Sequence, residues 1–181
     1  MITTRLEIGD EFRGSDLGLD DLRAIAFRRS LEKVGVNDPG LASYLTATYQ
    51  KKRLETMALF SDTNSTLNAL TDKFSLGIIT NGTTDPEWMG LQGIFKFVVM
   101  AEEHGVHKPD TRIFEIALDQ AGCEPHEIIH IGDSLEDDIK GANDAGITSV
   151  WLNPTAHQNT TGIHPTYEVS RLTELVGLFC P

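Results

Sequence analysis

Three stretches of this chain, far apart in primary order, pair reactive side chains with an apolar run. Gly132-Asp-Ser-Leu-Glu-Asp-Asp138 comes straight after Glu127-Ile-Ile-His-Ile131 and opens a helix-like segment. In an open parallel α/β sheet, ligands bind beyond the carboxyl ends of the strands. Carboxylates gathered there suit a hard divalent cation that takes oxygen ligands, with Asp133 and Asp138 as the candidate acids. Glu136 and Asp137 read more simply as first-turn partners of a helix dipole. Thr80-Asn81-Gly82 follows Leu76-Gly-Ile-Ile79 and would present a hydroxyl, an amide and backbone N–H groups at a strand end. That is a cradle for a phosphate, although Asn-Gly is also a common strand-to-helix turn. Lys108 lies between His107 and Pro109, and the proline restricts the backbone of the residue before it. An ammonium aimed in this way could neutralise a phosphate and stabilise the loose transition state of phosphoryl transfer; the plain alternative is a solvated surface lysine.

The elements that must position these groups follow from periodicity. Residues 19 to 60 read as helical, with apolar side chains at three- and four-residue steps and a break at Gly35-Val-Asn-Asp-Pro-Gly40. From about residue 61 helices and strands alternate: a helix at 65–73, a strand at 76–80, a helical turn at 86–91 and a strand at 97–100. A helix at 111–121, a strand at 128–131, a helix at 136–145 and a strand at 148–152 come next. A last strand at 167–169 precedes a helix at 171–179, and the polar segment 153–166 reads as a long surface loop. Such alternation predicts parallel βαβ units, hence an α/β fold, with a helical subdomain before it. The division expected is residues 1–60 for the helical part and 61–181 for the α/β core.

A chain of 181 residues, 40% hydrophobic, can bury one sizeable core. Its formal net charge of −12 argues against non-specific binding to nucleic acid or anionic membrane. No apolar run reaches about 18 residues and the first residues lack the order of a secretory signal, so the expected location is cytoplasmic. Cys123 and Cys180 show no metal-ligand spacing and read as free thiols.

Taken together, the three stretches resemble motifs II, III and IV of the haloacid dehalogenase-like (HAD) hydrolases, over roughly residues 19 to 175. The resemblance implies an α/β fold with a Rossmann-like three-layer parallel sheet and a small helical cap subdomain, and Mg2+ as cofactor. It implies that Thr80, with Asn81 and Gly82, binds the phosphoryl group of a small phosphorylated metabolite, and that Lys108 is the catalytic lysine. Asp133 and Asp138 would be the magnesium-site acids, with Asp137 a substitute for the latter. Phe95 to Pro109 and Gly141 to Ile147 are similar to the phosphatase-like branch of nucleotidases and sugar phosphatases.

Family members carry a leading strand ending in DxDxT, whose first aspartate attacks phosphorus and whose second is general acid and base. Here Met1 already lies in what resembles the first cap helix. Asp16-Leu-Gly-Leu-Asp20 has no apolar strand before it, and Asp62-Thr-Asn-Ser-Thr-Leu67 has asparagine where a proton donor is needed. The expectation is a phosphatase-type hydrolase whose chain, as it stands, is inactive. A haloacid dehalogenase or a non-catalytic HAD-fold binding module are the alternatives, and a receiver-type signalling domain has its motifs in the reverse order. Without the central first strand, two sheet edges would be open and could drive self-association, unless a segment such as Ile2 to Ile8 fills the gap.

Overall fold

A computed structural model describes residues 7, 8, 11, 12 and 17–180 of the chain. Two compact units form, Met1–Ala58 and Leu59–Pro181. In the first, α1 (Leu19–Glu32) carries Asp20 and Asp21 in its first turn, where acids complement the dipole. The second helix, α2 (Pro39–Thr56), is capped by Asp38, which accepts from the Leu41 N–H at 3.0 Å. Gly35, at φ +79°, makes the break between them, a left-handed turn that glycine adopts without strain. The helices pack through Phe27 on Tyr49, ring centroids 5.8 Å apart, with Ala26, Ala42 and Thr46 buried. Most of the segment 2–8 lies outside the described residues; Glu7 and Ile8 are helical rather than extended, and Ile8 is buried.

The second unit begins with α3 (Thr63–Thr71), followed by β1 (Gly77–Thr80), a 3-10 turn (Pro86–Met89), β2 (Phe97–Met100) and α4 (Ala101–His104). The order continues with α5 (Thr111–Ala121), β3 (Ile129–Gly132), a π-type turn (Leu135–Ile139) running into α6 (Lys140–Asp144), β4 (Thr148–Leu152), β5 (Tyr167–Val169) and α7 (Glu174–Phe179). All strand pairs are parallel, as expected for βαβ units. Two helical layers cover the strands. On one side Phe114, Ile113 and Ala117 of α5 and Ala142 of α6 pack with Val99, Ile79 and Ile128. On the other, Leu70 of α3 and Leu175 of α7 pack with Ile129, Ile131 and Val150. Alternate strand residues thus serve opposite faces, the period of two that a sheet buried on both sides requires.

The sheet is in two pieces. β1 pairs with β2, and β3 with β4 and β5, but no ladder joins β1 to β3. Between them lies an apolar cavity of about 420 Å³, with Leu76 to Ile79 along one side and Ile128 to Ile131 along the other.

Candidate functional site

The carboxyl ends of β1 and β3 are held together by Lys108. Its Nζ donates to the Ile79 carbonyl at 3.2 Å and pairs with Asp138 Oδ1. The loop carrying it, after α4, includes a cis peptide between Lys108 and Pro109. The Asn81 amide brackets that loop: Asn81 Nδ2 donates to the Lys108 carbonyl at 3.1 Å, and the Lys108 N–H donates to Asn81 Oδ1 at 2.8 Å. Behind it, Gly141 lets α6 approach closely, since a Cβ there would sit 2.5 Å from Phe114 Cε2 and 3.1 Å from Pro109 Cα.

Asp138 is the most enclosed acid of the site, 4% exposed. Oδ1 also meets His130 Nε2 at 3.1 Å, and Oδ2 accepts the Ser134 N–H at 3.0 Å. Burial alone would push this carboxyl up, but the His130 hydrogen bond and the Lys108 ammonium outweigh it and hold the group well below the usual carboxylate range. Gly132 makes room for it, because a Cβ at that position would lie 2.1 Å from Asp138 Cγ. Ser134 caps the π-type turn by accepting the Asp137 N–H at 3.0 Å, and its carbonyl takes both the Asp138 and Ile139 amides. Such turns recur at functional sites because they re-aim side chains.

The residues singled out from sequence lie together. Thr80, Asn81, Lys108 and the Gly132–Asp138 segment converge on one end of the sheet through the contacts just described. Within that cluster the roles differ from a simple cradle. The Asn81 side chain positions the lysine loop, and the Gly82 N–H is taken by Thr80 Oγ1 at 2.8 Å, which leaves the Thr80 hydroxyl hydrogen to donate elsewhere. His130 and Ser134 were not singled out from sequence, although His130 sits two residues before Gly132 in the strand and faces α5, edge-on to Phe114 at 5.1 Å.

For a divalent cation the acids are unequal. Both Asp138 oxygens are engaged by protein donors, whereas Asp133 is exposed and fixed by its backbone, its carbonyl accepting from Trp151 Nε1 at 3.0 Å. Burial pushes the Asp137 carboxyl up, reinforced by Asp138, Glu136 and Asp133 and opposed by Lys108. A cation beside Asp133 and Asp137 would relieve that crowding. No group of three potential ligands is poised among the described residues. Magnesium commonly takes only one or two carboxylates and completes its shell with water and substrate phosphate, so the acids present fit it.

Comparison with known proteins identifies the family. The family model for haloacid dehalogenase-like hydrolases matches residues 17–152. The pyrimidine 5'-nucleotidase YjjG of Escherichia coli is 40% identical over 122 residues, covering 64% of this chain; the chain spans about half of that relative's length, 54%. A 2-haloacid dehalogenase from Pseudomonas syringae pv. Tomato DC3000 superposes with a TM-score of 0.77 at 30% identity, covering 99% of this chain and 79% of the other. The HAD-hydrolase YfnB of Bacillus subtilis, solved bound to magnesium, gives a TM-score of 0.78 at 27% identity, covering 98% and 79%. With its motif-bearing strand ends, its Lys108 bridge and this match over most of its length, the chain belongs to the haloacid dehalogenase-like hydrolases.

Proposed function

We propose that this chain is the phosphoryl-binding part of a Mg2+-dependent phosphomonoester hydrolase acting on small phosphorylated metabolites. The observation that carries the reading is the Lys108 ammonium, anchored between the carbonyl of Ile79, the residue before Thr80 in β1, and Asp138. Thr80 donates to one phosphoryl oxygen and the remaining Lys108 N–H to another, so charge that spreads onto those oxygens in the transition state meets a donor already in place. Asp138 and the Asn81 bracket keep that ammonium aimed, and Asp133 with Asp137 would hold Mg2+, which supplies charge neutralisation at the phosphoryl group. Among the described residues Asp138 is the carboxylate paired with Lys108, and its oxygens are already engaged. On this reading it is not the nucleophile; an aspartyl phosphate needs a further carboxylate, and the chain as it stands turns over no ester.

Support comes from the relative named as a nucleotidase and from the neighbour bound to magnesium. The dehalogenase neighbour keeps a carbon-attacking alternative in view. Titration of the chain with inorganic phosphate and Mg2+, followed by 31P NMR, separates the readings. Saturable binding that is lost in Lys108→Ala and weakened without Mg2+ supports the phosphoryl cradle. Absence of phosphate binding by the folded chain overturns it, and turnover of an aryl phosphate abolished by Lys108→Ala overturns the claim of inactivity.

A further inference from the structure

We propose that a second cavity, on the same end of the sheet as Lys108, binds a free α-amino acid with an aliphatic side chain. The inference goes beyond the phosphoryl-binding reading and does not depend on it. The cavity measures about 270 Å³ and lies wholly within the second unit. Three loops wall it: Phe60 to Asp62 before α3, Leu152 and Pro154 where β4 ends, and Ser170 to Leu172 where β5 ends. It therefore sits over the carboxyl ends of two paired parallel strands, the place where α/β sheets take ligands. β5 is two strand spacings from β3, so the cavity stands ~10 Å along that rim from the turn that carries Asp138. Its volume falls just short of the ~300 Å³ at which pockets for drug-sized ligands begin, so the occupant is small.

Charge identifies the ligand. The lining carries one full charge of each sign, Asp62 on one wall and Arg171 on another, and no ion pair joins them among the described residues. Asp62 opens the Asp62–Leu67 segment, which the phosphoryl chemistry leaves unused. It is half-buried, and its Oδ2 takes the Thr173 N–H at 3.3 Å while Oδ1 has no partner among the described residues. Arg171 is held through its backbone: Glu174 accepts the Ser170 N–H, the Ser170 hydroxyl and the Arg171 N–H at 2.7 to 3.0 Å. The guanidinium itself makes no hydrogen bond or ion pair among the described residues, so its fork of donors is open to a carboxylate. A bare anion would be drawn to Arg171 and repelled by Asp62, and a bare cation the reverse. A ligand that carries a carboxylate and an ammonium satisfies both. The rest of the lining sets its side chain: Leu152, Leu172 and Pro154 are apolar, and the Phe60 ring, 58% exposed, is left for an aliphatic group to cover. The walls are fixed in advance, which lowers the cost of binding. Besides the Glu174 bonds, Asn153 is 4% exposed and ties down the segment after β4 by bonding both the N–H and the carbonyl of His157.

The test is a titration of the full chain, followed by amide chemical shifts in NMR, with L-leucine and two analogues that each lack one charge: isocaproate, without the ammonium, and isoamylamine, without the carboxylate. Expected are saturable shifts at Asp62, Leu152, Ser170 and Arg171 with leucine, and binding at least about tenfold weaker for either analogue. Arg171→Gln should weaken leucine about tenfold and leave isoamylamine unchanged, whereas Asp62→Asn should weaken leucine and favour isocaproate. Should a variant not fold, the three ligands still decide with the unaltered chain. No saturable shift with leucine, shifts that gather away from these loops, or isocaproate binding as tightly as leucine would each overturn the proposal. Failure of phosphate binding would remove the phosphoryl reading and leave this one intact.

Discussion

Substituting Asp138 removes the group that ties Lys108 to β3, and the structure sets the scale of the loss. The two side chains are only 6% and 12% exposed, so solvent screens their attraction little. Removing one partner from a buried pair typically costs about 3–5 kcal/mol, because the other charge is left uncompensated. Asp138→Asn leaves the ammonium with Ile79 and takes an acceptor from Ser134 or His130; the expected loss is ~3–4 kcal/mol. Lys108→Met is milder, ~2–3 kcal/mol, because the carboxylate keeps His130 and the Ser134 N–H. The double variant removes both charges, so its loss should fall about 2–3 kcal/mol short of the sum of the singles. Urea unfolding followed by fluorescence suits the measurement, since Trp151 is buried and bonded to the Asp133 carbonyl. The acid dependence has a defined sign. The folded-state carboxyl is depressed, so its contribution is fully present above the unfolded value of about 3.9 and is lost as pH falls from there toward the folded value. Asp138→Asn should therefore flatten the fall in urea midpoint below about pH 4. Single losses below ~1 kcal/mol, or an additive cycle, would refute the view that this pair fastens β1 to β3.

Four further outcomes follow from local geometry. Asn81→Ala removes both hydrogen bonds that bracket Lys108 and should cost about 1–3 kcal/mol, with weaker phosphate binding in the 31P titration. Gly141→Ala drives a methyl into Phe114 and the Pro109 backbone, and should destabilise by about 1–3 kcal/mol in urea melts. Gly177→Ala in α7, where nothing lies within 4 Å of the added carbon, should instead stabilise by about 0.5–1 kcal/mol. Phe114→Ala empties a fully buried position between α5 and His130 and should cost about 3–5 kcal/mol, read by the same melts.

Elements whose signals are local were legible before the tertiary structure. Helix α5 spans Thr111–Ala121 as its periodicity predicts: Ile113, Phe114 and Ala117 form a buried stripe between the Asp110 cap and the left-handed Gly122. Strands β2, β4 and β5 span the residues expected, 97–100, 148–152 and 167–169. Helix α4 was not foreseen, because four residues are too few to show a period. The segment read as one helix over 136–145 starts instead with a π-type turn, since Ser134 accepts two successive amides. The polar segment 153–166 has no helix or strand, as expected, but Asn153 orders its start by bonding His157 and Glu168.

The residue types at the candidate site, and their order, were written in the sequence; their partners were not. Asn81 bonds a residue 27 positions away and Lys108 one 30 positions away, and nothing in the neighbouring residues specifies which carboxylate or carbonyl they meet. That Asp138 serves Lys108 while Asp133 stays exposed depends on which way the turn after β3 aims each side chain, with Gly132 allowing the close approach. Periodicity and capping act over a few residues, so local sequence determines helices, strands and turns. Which strand ends meet, and the apolar cavity between β1 and β3, are decided only when the crossovers bring distant segments together and their polar groups compete for partners.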